Sequence, residues 1–582
     1  MSRTGGFSVL IIAAFALMPA FFAPSSLARR APASEIFAVE TAAVATAHAA
    51  AATDTDDEVT QEPASPALAP WPQDGFTDIT QESGIHDIVA ANYAAFPRWW
   101  LSGVHFVDLD GDGTLDFYMG THGRFGGEDG AEGVFAALND GTGRFRPAPG
   151  HYPTSEILLA HDLTGDGRLD LVMNYTDGGA EWWLNHSTPG RLEFENAGIR
   201  RAGSTGRIGV LVDIDGDGHL DWIRSVRGGI VIDRGDGEGG FIQDAVQIPI
   251  SENYRNEHAV TPADLNNNGK IDLVIEWGRY GFVAGMCRIL RNDGDLEFTD
   301  VTEESGLWEE GLSVQAVGDF NRSGFVDILA LEDLQEWSVF LNDGTGRFTK
   351  KENAIIGMEG RVSMASWGLG VVTDFDNDGL PDILVNGKHF LKLLRGDGEG
   401  RFTYMNRIAG IEDYSASSID DGLCFGDITG NGMLDIAGYR RRDESIPDAI
   451  RGVPVIYRND LPPQNWLRVR PLGRPGNAAA AGAVIRITEP ETGKLLWHEQ
   501  VSIFNRQAAQ SYYGLTPTER HFGLGARETV DVSVRFHPSG KVKTLTDVAA
   551  NATVEIHERD ADSNVSVGER AERLRTADQS RD

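Results

Sequence analysis

Cysteine is nearly absent, with Cys287 and Cys424 the only two in 582 residues. Two thiols cannot staple a disulfide framework, and a chain of this length can bury a core without one. Positive charge is also scarce: 51 Lys and Arg stand against 87 Asp and Glu, for a net charge of −36. This balance argues against nucleic acid as a partner, because phosphates need neutralising cations, and against docking on anionic lipid. The apolar run Val9 to Phe22 is too short and wrongly flanked to span a membrane, so no membrane insertion is expected. No G-x-S-x-G elbow, H-E-x-x-H helix or Walker loop occurs.

The same apolar run, with Arg3 before it and Ser26-Leu27-Ala28 after it, has the make-up of a signal peptide over residues 1–28, cleaved near Ala28. A secreted or periplasmic location follows as an expectation. Residues 29–73 are rich in Ala, Pro, Thr, Asp and Glu without periodicity and read as a disordered linker; residues 559–582 read as a disordered tail.

Glycine is plentiful, at 69 residues, and the repeats explain why. A nonapeptide D-x-[DNT]-x-[DNS]-G-x-x-D starts at Asp108, Asp162, Asp213, Asp264, Asp319, Asp374 and Asp427, at spacings of 51 to 55 residues. Each copy follows an apolar stretch and precedes an aliphatic strand such as Leu273-Val274-Ile275. In most copies a glycine hairpin ending in Phe comes later, as in Asn139 to Phe145 and Asn342 to Phe348. Asp-Gly between apolar runs is a strong hairpin signal. Four strands at a period near fifty predict a propeller blade. The seventh copy stops at Leu461-Pro462-Pro463 without its Phe strand, and Phe76 to Ile85 repeats Phe298 to Leu307 almost letter for letter. The N-terminal strand is therefore expected to complete the last blade. The predicted fold is all-β: a seven-bladed β-propeller with calcium loops over residues 74–461, followed by a small β-domain over 462–558.

Alternate side chains of the nonapeptide converge on one point, the glycine permits the sharp turn, and the residue at position seven can offer its carbonyl. Such a set supplies the hard oxygens that calcium prefers. Cysteine and histidine do not recur as ligands, so zinc and copper fit poorly. Position twelve lacks the EF-hand glutamate, and the flanks are strands. Good turn chemistry alone explains one such loop, but poorly explains seven in register. The expected ligands are Asp108, Asp110, Asp112, Thr114 and Asp116 in loop one, and Asp162, Thr164, Asp166, Arg168 and Asp170 in loop two. Loop three offers Asp213, Asp215, Asp217, His219 and Asp221, and loop four Asp264, Asn266, Asn268, Lys270 and Asp272. Loop five offers Asp319, Asn321, Ser323, Phe325 and Asp327. Loop six offers Asp374, Asp376, Asp378, Leu380 and Asp382, and loop seven Asp427, Thr429, Asn431, Met433 and Asp435. Up to seven calcium sites are expected, strongest in loops one, three and six, which carry four carboxylates each.

These loops resemble FG-GAP/VCBS repeats. The region after Gln464 resembles the ASPIC/UnbV domain through Asn465-Trp466-Leu467, Gly482-Ala483, His521-Phe522-Gly523-Leu524-Gly525 and Pro538-Ser539-Gly540. Together they resemble the cartilage-acidic-protein family over residues 74–558. Phe536-His537 stands where that family usually has Trp, and Ala479-Ala480-Ala481 replaces a glycine-rich approach. The resemblance implies a secreted calcium-binding protein without a settled activity.

A binding or interaction module for an unidentified extracellular protein or glycan, working as a monomer, is the favoured expectation. The alternative is a lyase, hydrolase or cyclase with its active site in a central funnel. The rim opposite the loops gathers candidate ligand-binding residues: Arg98, Trp99, Trp100, Glu257, His258, Arg279, Tyr280, Asp420 and Asp421. Aromatic and arginine side chains favour recognition there. Cys287 and Cys424 fall in copies four and seven, across the expected ring, and are expected to be unpaired and buried.

Overall fold

The structure, a computed structural model, describes residues 71–559 apart from 73–74, 98, 100, 122–132, 155, 175–179, 202–208, 227, 238–239, 251–257, 280–282, 308–311, 333–335, 359–368, 388–389, 406–420, 441–445, 447–451 and 506–518. The expected signal peptide, nearly all of the linker and the tail beyond residue 559 lie outside the described residues. Trp71, near the end of that linker, is ordered: its indole N–H donates to Asp376 Oδ2 at 2.8 Å and its ring packs on Phe76.

Residues 76–459 form seven consecutive sheets, each built around one nonapeptide and antiparallel except for the short added strands Gly150–His151 and Ile355–Ile356, which pair parallel at the edges of two of them. Sheet one is Leu101–Val107, Asp116–Thr121, Ala136–Asn139 and Phe145–Pro147. The others follow the same order, the first strands being Glu156–His161, Gly209–Val212, His258–Ala263, Leu312–Gly318, Leu369–Thr373 and Asp421–Gly426. The ninth residue of every nonapeptide is an aspartate that opens the second strand, and it pairs with the residue just before the loop. The regular spacing in sequence is thus a regular register in space.

In every sheet a hairpin residue on the third strand lies opposite a phenylalanine on the fourth: Asn139–Phe145, Asn185–Phe194, Gly235–Phe241, Asn292–Phe298, Asn342–Phe348 and Gly396–Phe402. Sheet seven has no fourth strand of its own. Phe76–Asp78 fills the place, with Phe76 opposite Asn459. After this strand comes the helix Ile85–Ala95, which the all-β expectation did not include; it buries Ile85, Ile88, Val89 and Tyr93.

The asparagines join neighbouring sheets. Asn185 Nδ2 donates to Leu109 O of the loop before it, Asn292 to Ile214, Asn342 to Leu265 and Asn459 to Phe375, at 2.8–3.0 Å. Asn139 of sheet one makes the same bond to Ile428 of sheet seven, at 2.8 Å. Sheets three and six carry Gly235 and Gly396 here and send no amide. Between sheets two and three, Trp182 stacks on Trp222 instead and Phe241 meets both edge-on, with Ala479 and Ala481 of the C-terminal region in the same cluster.

The C-terminal region folds as two sheets around one core. Asn465–Leu472 lies between Arg520–Gly525 and a parallel Ala552–His557; Leu495–Gln500, Val484–Thr488, Thr529–Arg535 and Val542–Ala549 form the second sheet. Alternate residues such as Val530, Val532 and Val534 enter the shared core, as half-buried strands require. One further strand, Ile503–Asn505, leaves this domain and pairs antiparallel with Gly209–Val212 of sheet three. Cys287 and Cys424 are both buried, and neither forms a disulfide.

Candidate metal centres

The seven loops share one backbone frame. The first aspartate accepts the amide of the glycine at position six on its Oδ2, at 2.7–3.0 Å in all seven. Those glycines, Gly113, Gly167, Gly218, Gly269, Gly324, Gly379 and Gly432, all have φ between 84° and 98°. Glycine enters this left-handed region without the Cβ penalty of other residues, which is why it recurs there. The ninth aspartate is a keystone. In loop one, Asp116 Oδ2 accepts the Leu109 amide and Oδ1 the Asn139 amide, and every other loop repeats the pair. Each such carboxylate holds its loop to the hairpin of its own sheet.

Three loops bring carboxylates into one cluster: Asp108, Asp110 and Asp116; Asp213, Asp215 and Asp221; and Asp374, Asp376 and Asp382. Within each, one oxygen per residue lies within 4.8 Å of the others. These are the three loops with four carboxylates in sequence. Burial pushes Asp108 up to about 6, with Asp112 and Asp110 adding repulsion, and Asp116 up to about 8. It likewise raises Asp213 to about 6 and Asp221 to about 7, and holds Asp374 and Asp382 well above the usual carboxylate range. Buried like charges of this kind are stabilised either by protons or by a cation. The all-oxygen donor set fits a hard divalent ion such as calcium.

The fourth carboxylate, at position five, lies outside each cluster. Arg234 bridges Asp215 and Asp217 in loop three, and Arg395 bridges Asp376 and Asp378 in loop six, at 2.5–3.0 Å. Each arginine sits one residue before the hairpin glycine of its own sheet. Among the position-seven residues, named for their carbonyls, Thr114 Oγ1 donates to Asp112, Arg168 to Asp166 and Lys270 to Asp293 O.

The C-terminal domain covers the loops. His521 Nε2 meets Asn377 Oδ1 at 2.7 Å, His537 Nε2 meets Asp213 O at 2.8 Å, and Gln500 Oε1 accepts the Asp264 amide at 2.9 Å. A Cβ on Gly523 would lie 2.0 Å from Asp374 Oδ2, so this close approach requires glycine. Arg468 donates to Asp427 Oδ2 with both side chains buried. Arg468, Arg520 and His521 border a cavity of about 180 Å³ that is walled below by Phe106, Leu115 and Phe425. Sequence reasoning missed this cover. A hint was available in Asn465–Leu472, where Arg468 falls between the core residues Leu467 and Val469 and must therefore face something else.

Of the residues expected on the opposite rim, Arg98, Trp100, Glu257, Tyr280 and Asp420 lie outside the described residues. His258 opens the first strand of sheet four, Arg279 closes its second strand and Asp421 opens sheet seven. Trp99 needs correction. It is fully buried, edge-on to Tyr93 at 5.1 Å and packed against Phe135, and it offers no face to a ligand. No helix among the described residues is long and apolar enough to cross a membrane.

Family models agree with both halves of the chain. The FG-GAP-like repeat matches residues 162–224, 213–275 and 374–438, and ASPIC and UnbV matches 473–563. The chain carries FG-GAP-like repeats and an ASPIC/UnbV domain. It is similar to Cartilage acidic protein 1 of Xenopus tropicalis (25% identical over 293 residues) and of Homo sapiens (27% over 292). The matches cover 47% of this chain and only 42% and 41% of those relatives, less than half their length. Among solved structures, an Agrocybe aegerita lectin specific for non-reducing terminal N-acetylglucosamine aligns at a TM-score of 0.37, with 19% identity over 59% of this chain and 85% of the lectin. The V. cholerae biofilm matrix protein Bap1 aligns at 0.23, with 11% identity over 68% and 67%.

Proposed function

We propose that this chain, with its FG-GAP-like repeats and ASPIC/UnbV domain, is an extracellular calcium-binding β-propeller that serves as an interaction module. Its seven sheets act as blades of a closed ring. Support for closure comes from Phe76–Asp78 completing sheet seven and from Asn139 reaching Ile428. The observation that carries the metal reading is the clustering of three carboxylates in each of loops one, three and six. Crowded, buried carboxylates repel one another, and a divalent ion relieves that repulsion only in the folded state. Binding then stabilises by mass action, by about 2.7 kcal/mol per site at a hundredfold excess over Kd. Secretion fits calcium concentrations that would saturate weak extracellular sites.

The deciding experiment is thermal unfolding of the purified chain in calcium and in chelator, with isothermal titration of calcium. The melting temperature is expected to fall on chelation and recover on adding calcium. A melting temperature indifferent to both would overturn the metal reading. For the interaction role, extracellular proteins and glycans would be screened with and without calcium; a partner retained only in calcium supports the module.

A further inference from the structure

The C-terminal domain places an arginine against six of the seven loops. Arg470 donates to Gly167 O in loop two at 3.3 Å. Arg474, Arg486 and Arg527 lie over Gly218, Gly324 and Gly379, where a Cβ would fall 2.7, 3.2 and 3.4 Å from a guanidinium nitrogen. Arg535 stands 3.7 Å from Asp264 Oδ2, and Arg468 binds Asp427 Oδ2. Only these last two reach a position-one carboxylate, and both do so in loops that carry two carboxylates instead of four.

We propose that the loop at Asp427 is a docking socket and not a metal site: Arg468 is its resident cation, and the pair locks the C-terminal domain onto the loop rim. The loop at Asp264, with Arg535, is a looser version of the same arrangement. The inference rests on the calcium reading of the four-carboxylate loops, from which it separates loop seven.

Loop seven has the backbone-amide bonds of the other loops and adds to them a guanidinium on Asp427 and the Thr429 hydroxyl on Asp435. Asp427 Oδ1 accepts the Asn431 amide and Oδ2 the Gly432 amide besides Arg468. Thr429 Oγ1 donates to Asp435 Oδ2, and Asp435 Oδ1 accepts the Asn459 amide. The guanidinium is fixed from three sides: Asp427 in front, Glu519 on Nε at 3.3 Å, and the Trp466 ring 4.3 Å from its centre. Trp466 in turn lies so close to Gly432 that a Cβ there would be 2.0 Å from its Nε1. Arg468 cannot swing aside for a metal without lifting its strand off the rim. Arg234 in loop three and Arg395 in loop six differ: each comes from the hairpin of its own sheet, 41% and 18% exposed, so moving it for an ion does not undock the C-terminal domain. Two carboxylates also match one guanidinium far better than four do, and the planar fork suits a buried carboxylate.

The test counts bound calcium in the full chain by equilibrium dialysis and follows amide hydrogen exchange in Asn465–Leu472. Asp427→Asn should leave the calcium count unchanged and speed exchange in that strand by roughly a hundredfold, as loss of one partner of a buried ion pair does. Asp374→Asn should lower the count by one. A calcium ion lost with Asp427→Asn, or exchange unchanged by it, would overturn the proposal. Should the single variant fold poorly, Asp427→Asn with Arg468→Met removes both charges and is expected to restore protection over either single change; no recovery would refute the lock. If the parent chain binds no calcium, the metal reading of the other loops fails, while the exchange results still decide the docking socket.

Discussion

Replacing Asn139 with alanine tests whether sheet one is joined to sheet seven. Asn139 is buried, and its amide donates to Leu115 O within its own sheet at 3.0 Å and to Ile428 O across to sheet seven at 2.8 Å. Its Oδ1 accepts the Gly141 and Gly143 amides, each at 3.1 Å. Asn139→Ala therefore removes four hydrogen bonds and leaves carbonyls and amides without partners. At about 1 kcal/mol per ordinary bond, and about 1–3 kcal/mol for a buried group left unsatisfied, the cost is about 4 kcal/mol. A matched control lies inside the row of sheets. Asn342 makes the same four bonds, to Val326 O, Leu265 O and the Gly344 and Gly346 amides. A closed ring has no ends, so the two substitutions should cost the same. Urea unfolding midpoints of the two variants, with hydrogen exchange in Leu101–Val107 and Asp421–Gly426, make the comparison without assuming a two-state transition. If Asn342→Ala costs several kcal/mol while Asn139→Ala costs less than about 1, the contact between first and last sheets is not a structural bond, and the closed ring is wrong.

Gly523→Ala would drive a methyl into the Asp374 carboxylate, and overpacking of this kind costs about 1–3 kcal/mol; calcium affinity at loop six should fall with it, and an unchanged affinity and midpoint would contradict the docking of that strand. Because Asp116 is raised to about 8 and Asp221 to about 7, the metal-free folded chain holds more protons than the unfolded chain from about pH 4 to about pH 8, so its stability should fall as pH rises through that window. Calcium displaces those protons near neutrality, so titrations in buffers of different ionisation enthalpy should reveal proton release, and none would show that these carboxylates do not ligate. Cys287 and Cys424 should resist thiol reagents in the native state and react on unfolding, since both are buried and burial raises the Cys424 thiol further; an intramolecular bridge found by mass spectrometry would contradict the sheet assignment.

The loops were legible in sequence because their geometry depends on residue types with few substitutes: an aspartate at the ends, a glycine where φ is positive. The completion of sheet seven by Phe76 was legible for the same reason, as a copied segment with no sheet of its own. Less could be read where one residue type does two jobs. The ninth aspartate looks like a metal ligand, yet both its oxygens hold backbone amides in every loop, and spacing alone cannot separate those roles. The hairpin asparagines read as turn formers, while their amides join neighbouring sheets, a contact set by tertiary position. Trp99 failed as a ligand candidate because an aromatic beside an arginine looks the same in sequence whether it faces solvent or the core. The covering of the loops by Arg468, His521 and Gln500 was hidden most deeply, since it depends on how one domain is placed on the other.

The junction between sheets two and three has a consequence for the order of synthesis. It lacks the asparagine bond, and its packing around Trp182 and Trp222 is finished by Ala479 and Ala481, while Gly209–Val212 gains Ile503–Asn505 as a neighbour. All of these finishing residues are translated after every sheet of the repeat region. A nascent chain that has emerged as far as residue 461 therefore has the sequence of all seven sheets but not the residues that finish the packing around Trp182 and Trp222. The C-terminal domain supplies the residues that complete that junction, so a truncation that removes it would be expected to leave the row of sheets with an apolar gap at a known place.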